Sequence, residues 1–210
     1  MKRILLISLL LCSCVRVAPL SKMYDARVSS TVTIYGDRND DFSNEIRGVG
    51  SGFFVDERHV LTNAHVANSI IDGTAELRLL NGKTVKVKRV AVNDHYDLAL
   101  FRAESEYDGP VFNLETDPEI GSKVFVIGSP SLFAGTLTTG ILSRKTTTYD
   151  KWSWDCEVYL IDACILGGSS GSPVFDMDDG IVGMVSGGNG GMTVIIPSFS
   201  ICAFLREHGV

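Results

Sequence analysis

At 210 residues, with 45% hydrophobic and 21% charged, the chain can bury a core and is neither disordered nor low in complexity. Its 19 basic and 25 acidic residues leave a net charge of -6, and no Lys or Arg run follows the N-terminus, which argues against nucleic acid as a partner. One domain is expected, with room for two similar halves.

The first segment reads as a sorting signal. "MKRILLISLLLCSC" sets Lys2 and Arg3 ahead of an apolar run from Ile4 to Leu11, the layout of an export signal and too short to span a bilayer. Its end resembles a bacterial lipoprotein signal, with Leu11 three residues before the cysteine, small Ser13 directly before it, and Cys14 as the lipidated residue. Cys12 departs from that pattern. A secretory signal cut after Ser13 or Ala18 and an uncleaved cytosolic start are the other readings. The lipoprotein reading makes residues 1–13 a signal peptide and 14–27 a tether. It places the protein on the periplasmic side of the cell envelope, touching the membrane through the lipid anchor only; the secretory reading makes it soluble in the periplasm or outside the cell.

Short apolar or alternating runs separated by turn signals then dominate, the pattern of an all-β barrel or sandwich. Strands are predicted over 28–35, 50–55, 60–61, 75–79, 84–92 and 98–102. The "LLNGKTVKV" stretch reads as a hairpin, because Asn81 and Gly82 readily take the backbone angles of a tight turn. "NAHVANSII" predicts one or two helical turns. The polar "AESEYDGPVFNLETDPEIG", with Pro110 and Pro118, reads as a connector to a second series of strands over 123–127, 136–144, 157–161, 173–175, 181–185 and 193–196. "PSFSICAFLREHG" predicts a terminal helix capped by Ser198 and ended by Gly209, with Phe199, Cys202 and Leu205 or Arg206 recurring on the face turned to a barrel.

Three cysteines follow the signal: Cys156, Cys164 and Cys202. An odd number cannot pair completely within one chain. Cys156 and Cys164 flank one predicted strand that would hold them roughly 26 Å apart, too far for a bridge unless the chain bends back. Free, buried thiols are expected.

Chemistry concentrates in "GGSSGSPVF", residues 167–175. A serine attacks a carbonyl only where a base takes its proton and amides stabilise the oxyanion. Gly167-Gly168-Ser169-Ser170-Gly171 fits the Gly-x-Ser-x-Gly elbow with Ser169 as nucleophile, but an elbow feeds a helix and needs an acid and then a histidine downstream. Here Pro173 and a β-rich run follow, and only His208 remains. Upstream, His65 follows the strand at Val60 and Leu61 and opens the short helix of "NAHVA", while Asp97 precedes "LALF", where an imidazole could relieve its desolvation. Asp94 competes with Asp97. His59, His95 and Asp94 match no compact metal motif, and neither metal nor cofactor is expected.

Read as Gly168-x-Ser170-Gly171-x-Pro173, the turn resembles the active-site signature of chymotrypsin-fold, trypsin-like serine proteases, whose partners occur upstream in the order His, Asp, Ser. The resemblance runs along nearly the whole chain after the signal and is nearest the HtrA/Deg-type protease domain. "GSGFFVDERHVLTNAHV", "DLALF", "GSKVFVIGSP", "GTLTTGILSR", "LIDACILGGSSGSPVF", "IVGMVSGG" and "TVIIPSFSI" look like its successive blocks. It implies an all-β fold of two six-stranded barrels packed together with a C-terminal helix. The protease domain would span 28–210, divided as barrel 1 over about 28–104, a connector over 105–119, barrel 2 over 120–197 and the helix over 198–208.

It further implies a serine endopeptidase acting on protein or peptide substrates, with His65 as base and acid, Asp97 as its orienting partner and Ser170 as nucleophile. The amides of Gly168 and Ser170 would form the oxyanion hole. Ser186, Gly187 and Gly188 would supply the edge for a substrate main chain, with Ser186 also steadying Asp97, and Cys164, six residues before the nucleophile, would floor the specificity pocket. A small, weakly polar floor predicts preference for small or medium apolar side chains. Ser169 stands where animal relatives carry an activating aspartate, and Ser172 replaces a glycine, placing a side chain beside the nucleophile. The chain ends at Val210, so no PDZ domain is expected and neither caging nor trimer formation is implied. A catalytically silent binding protein is the other reading. Trp152 and Trp154, alternating in "TTTYDKWSWDCE", are expected to cover a barrel end or line a substrate rim.

Overall fold

The structure is a computed structural model that describes residues 19–37, 46–114, 117–147, 156–178, 180–189 and 191–210. Cys12, Cys14, Trp152 and Trp154 lie outside the described residues. Two closed antiparallel barrels of six strands each carry the chain. Barrel 1 joins β1 (Thr31–Asp37), β2 (Ile46–Phe54), β3 (His59–Thr62), β6 (Leu98–Ala103), β5 (Thr84–Asn93) and β4 (Thr74–Leu79), in that circular order. Barrel 2 joins β10 (Pro173–Phe175), β11 (Ile181–Asn189), β12 (Met192–Pro197), β9 (Glu157–Ile161), β8 (Thr136–Thr147) and β7 (Lys123–Gly128). Closure gives each described strand a neighbour on both sides.

The reason for two barrels side by side is written in the runs that are apolar without interruption. Successive strand residues point to opposite faces. Phe54, Val60, Ala99 and Phe101 therefore fill the interior of barrel 1. Their neighbours Phe53, Leu61, Leu98 and Leu100 point outward, against Phe125, Ile127, Phe175 and Met184 of barrel 2. A third cluster, including Val124, Val126, Val174 and Val185, fills barrel 2. At about 1.5–3 kcal/mol for each large apolar side chain buried, this outer layer fixes how the barrels meet.

Several expectations need correction. The stretch predicted as a strand from residue 28 begins with a 3-10 turn, Val28–Ser30, and β1 starts at Thr31. The segment read as a tether contains α1 (Leu20–Arg27), which buries Met23 and Arg27 against the interbarrel layer. Arg27 donates from Nη1 to the Met23 carbonyl at 2.9 Å and lies over the rings of Phe112, Phe125 and Phe175 at 5.3, 5.5 and 5.5 Å. The short helix α2 (Ala64–Asn68) forms where expected. The terminal helix α3 (Ser198–Glu207) has Pro197 at its cap position, with Ser198 already inside the helix and no side-chain cap. Its packed face is Ile201, Phe204 and Leu205, while Phe199 is 46% exposed. Spacing of three from Phe199 was compatible with either stripe, and contact with the interbarrel layer selects the more apolar one. Cys156 is buried as expected, but Cys164 is exposed with a free thiol, and Cys202 is half-buried with its Sγ 3.8 Å from the Leu114 carbonyl.

Candidate active site

His65 sits in the first turn of α2, directly after β3, and Asp97 occupies the tight turn that leads from β5 into β6. Pairing of β3 with β6, with Thr62 opposite Ala99, brings the two together. Asp97 adopts a left-handed backbone, φ 53°, which aspartate tolerates better than most residues. Three groups hold it there. Asn63 donates from Nδ2 to its carbonyl at 3.1 Å, the His65 amide donates to Oδ1 at 3.0 Å, and the Ser186 hydroxyl donates to Oδ2 at 2.6 Å.

His65 Nδ1 lies 2.9 and 3.0 Å from the two carboxylate oxygens of Asp97. A carboxylate only accepts, so the ring proton belongs on Nδ1 and Nε2 is left with a lone pair. The Asp97 side chain is 3% exposed and the His65 side chain 49%, so one end of the pair is dry and the other open.

Ser170 lies on the turn that enters β10 in barrel 2. Its hydroxyl donates to the Ser186 carbonyl at 3.2 Å, and Ser186 thereby touches both Ser170 and Asp97. No hydrogen bond joins Ser170 to the His65 ring in this conformation of the described residues. Around Ser170 the carbonyls of the turn are engaged. Gly167 accepts from the Ser131 amide at 2.7 Å, Gly168 from the Ser51 hydroxyl at 2.7 Å, Ser169 from the Ser172 amide at 3.0 Å and Ser170 from the Ser51 amide at 2.8 Å. The amides of Gly168 and Ser170 have no acceptor among the described residues. Gly168 has φ +94°, and a Cβ there would stand 2.6 Å from the Ser129 carbonyl oxygen, so only glycine fits.

Next to the turn opens a cleft of about 320 Å³ whose lining includes Ala163, Cys164, Ile165, Ser170, Gly187, Gly188 and Met192. Cys164, Gly187 and Gly188 thus share one cavity. Ser186 is 4% exposed, and its side chain is committed to Asp97 instead. Ser172, expected beside the nucleophile, is fully buried and faces Gly128, where its Oγ would come within 1.9 Å of an added Cβ. The peptide turns between Ser170 and Ser172, so the two side chains leave in different directions. His59 pairs with Asp56 at 2.7 Å and His95 meets the ring of Tyr96 edge-on at 4.7 Å. Asp94 accepts from Asn68 Nδ2 at 2.7 Å, apart from the His65 pair.

The model of the trypsin-like peptidase domain matches residues 50–184, more than half of the chain. The chain belongs to this family. Within the trypsin-like peptidases it is similar to HtrA-type protease domains. It is 31% identical over 159 residues to the probable periplasmic serine endoprotease DegP-like of Bartonella henselae, covering 71% of this chain and 31% of that protein. With the protein of the same description from Hahella chejuensis it shares 33% over 164 residues, 73% of this chain and 34% of the other. With human Serine protease HTRA4 it shares 32% over 166 residues, 76% of this chain and 34% of the other. The chain therefore spans about a third of the length of these trypsin-like relatives.

Two residues of this trypsin-like site were not singled out from sequence. Ser51 and Asn63 lie in "GSGFF" and "TNAHV", blocks that carried the resemblance, but nothing in their local pattern says that their partners are 117 and 34 residues away.

Proposed function

We propose that the protein is a serine endopeptidase. Ser170 attacks a peptide carbonyl, His65 Nε2 takes the hydroxyl proton and returns one to the leaving amine, and water then resolves the acyl-enzyme by the same route. Asp97 keeps the imidazole in the tautomer this needs, and the amides of Gly168 and Ser170 receive the oxyanion. The observation that carries the reading is the His65–Asp97 pair, dry at the carboxylate and open at Nε2, linked through Ser186 to a serine whose turn leaves two amides without acceptors. The Ser170 hydroxyl would leave the Ser186 carbonyl for the ring, and such bonds commonly form or tighten only on substrate binding.

A substrate would lie in extended form along Gly187 and Gly188, its side chain entering the cleft beside Cys164. With Ala163, Ile165 and Met192 also lining that cleft, small or medium apolar side chains suit it. Efficient cleavage after Arg in a peptide library would refute this preference. The printed names of bacterial relatives describe periplasmic proteins, which supports export of this chain; a lipid anchor at Cys14 rests on the sequence of the leader alone. Among the described residues no helix is long and apolar enough to cross a membrane.

The second reading, a protease-like binding protein without turnover, draws on the Ser170 hydroxyl being held by Ser186 rather than His65. Fluorophosphonate labelling and casein cleavage by the full chain, both abolished in Ser170→Ala, would establish the first reading. Absence of both from the unmutated chain would establish the second.

A further inference from the structure

Ser51 lies in barrel 1, on β2 opposite Thr33 of β1; its carbonyl accepts from the Thr62 hydroxyl of the same barrel at 2.7 Å, but its amide and hydroxyl bond to barrel 2. It is completely buried. Its amide holds the Ser170 carbonyl at 2.8 Å and its hydroxyl holds the Gly168 carbonyl at 2.7 Å. The same oxygen accepts the Ser129 amide at 3.0 Å. Since an amide only donates and a carbonyl only accepts, the direction of the Ser51 proton is fixed: it must point at Gly168. Ser129 begins the loop that carries Ser131, whose amide holds the Gly167 carbonyl at 2.7 Å.

These bonds bear on where the free Gly168 amide points; the free Ser170 amide is aimed by the Ser169 carbonyl, which the Ser172 amide holds at 3.0 Å. In a planar trans peptide the carbonyl and the N–H face opposite ways, so fixing one aims the other. Anchoring the Gly167 carbonyl on Ser131 turns the Gly168 N–H away from that loop. Gly168, with no side chain and φ +94°, has little local resistance to rotation, and its own carbonyl is restrained by Ser51 Oγ. Three of the four successive carbonyls from 167 to 170 are thus held either by Ser51 or by the loop that its hydroxyl anchors.

We propose that Ser51 is the positioning residue of the oxyanion turn, acting across the barrel interface through the Gly168 carbonyl and the Ser129 amide; this rests on the endopeptidase reading above. Deleting its hydroxyl takes a partner from the part-buried Gly168 carbonyl and from the buried Ser129 amide, loosening both the turn and the loop that holds the Gly167 carbonyl and so aims the Gly168 N–H. Ground-state binding along Gly187 and Gly188 would be spared. The loss would fall on the step in which negative charge develops, so kcat suffers and KM does not.

The test compares the full chain with Ser51→Ala and with Thr33→Val. The second variant removes the neighbouring interbarrel bond, Thr33 Oγ1 to Ser129 Oγ at 2.5 Å, on the same loop, but keeps the Ser51 hydroxyl with both of its bonds. In Ser51→Ala, kcat for an apolar peptide substrate should fall about ten- to a hundredfold with KM within about threefold, part of the loss that removing an oxyanion donor causes. Affinity for a peptide boronate, whose tetrahedral adduct uses the same amides, should fall in parallel. Thr33→Val should lower the melting temperature while keeping kcat within about twofold. An unchanged kcat in Ser51→Ala, or equal losses in both variants, overturns the proposal. If the unmutated chain neither labels nor cleaves, the endopeptidase reading fails by itself, and hydrogen exchange decides the positioning role. Ser51→Ala must then speed exchange over residues 166–172 by about tenfold relative to Thr33→Val, and equal exchange rejects it.

Discussion

Replacing Ser186 by alanine probes the support of Asp97 without touching the His65 or Ser170 side chain. The carboxylate is 3% exposed and receives the His65 amide, the His65 ring and the Ser186 hydroxyl, the last at 2.6 Å. Ser186→Ala removes that hydroxyl and leaves Oδ2 with the imidazole alone, 3.0 Å away. A hydrogen bond to a buried charge contributes about 1.5–3 kcal/mol, which at about 2–4 °C per kcal/mol for a protein of this size lowers the melting temperature by about 3–12 °C. Catalysis should suffer less than stability suggests. The two His65 contacts on Oδ1 remain, and the Ser186 carbonyl that touches Ser170 is main chain. We expect kcat/KM to fall about tenfold, against about 10⁴-fold for Asp97→Asn, whose amide favours the wrong imidazole tautomer. Thermal melts and steady-state hydrolysis of a peptide substrate check both numbers. A melting temperature unchanged within about 1 °C would refute the assignment of a buried charge-assisted bond. Activity lost as completely as in Asp97→Asn would refute the view that His65 alone can orient the carboxylate.

Ser172 has a buried hydroxyl with no hydrogen-bond partner; Ser172→Ala should raise stability by up to about 1 kcal/mol in urea unfolding, with activity unchanged. Gly168→Ala should abolish labelling of Ser170 while the protein still folds, because a Cβ 2.6 Å from the Ser129 carbonyl displaces the turn rather than the barrel. Burial alone would raise the Asp56 pKa, but hydrogen bonds from the His59 side chain and from the Arg58 and His59 amides outweigh it and hold the carboxyl below its ordinary value. A depressed carboxyl contributes stability that is present above the unfolded pKa and lost as pH falls through the folded one. Asp56→Ala should therefore melt lower than the unmutated protein at pH 7, with the gap closing in acid; a gap independent of pH would contradict this. A protonated imidazole cannot accept a proton, so hydrolysis should decline on acidification, and flat activity from about pH 5 to 8 would contradict the role given to His65.

Much of the fold was legible because a half-buried or wholly buried strand leaves its mark in a few consecutive residues. "LALF" and "KVFVIG" read as strands from short apolar runs between turn signals, while the covering of both their faces came from the packing of two barrels. The terminal helix was found the same way, but which of its stripes is packed was not legible, since Phe199 and Ile201 are both apolar and only the barrel interface distinguishes them. The helix at residues 20–27 was missed because its sequence, "LSKMYDAR", carries almost no apolar face. It is held by Met23 and by Arg27 over three aromatic rings, contacts between residues far apart in the chain.

The candidate site divides along the same line. Order and residue type, His65 then Asp97 then Ser170, with a glycine at 168 and a proline at 173, are properties of the sequence. They limit the chemistry because few side chains can serve as base, anion and nucleophile. The sequence already singled out Ser170 among the serines of 167–175; what each of the three touches is a matter of tertiary contacts. Ser170 meets Ser186, Ser172 is turned into the barrel against Gly128, and Ser169 reaches back to the Leu166 amide at 3.3 Å. Ser51 gained its place only when β2 of one barrel closed on the turn of the other. A sequence determines the elements that local pattern and burial require. The direction of a buried hydroxyl or a free amide depends on partners more than a hundred residues away, and only the packed interface supplies those.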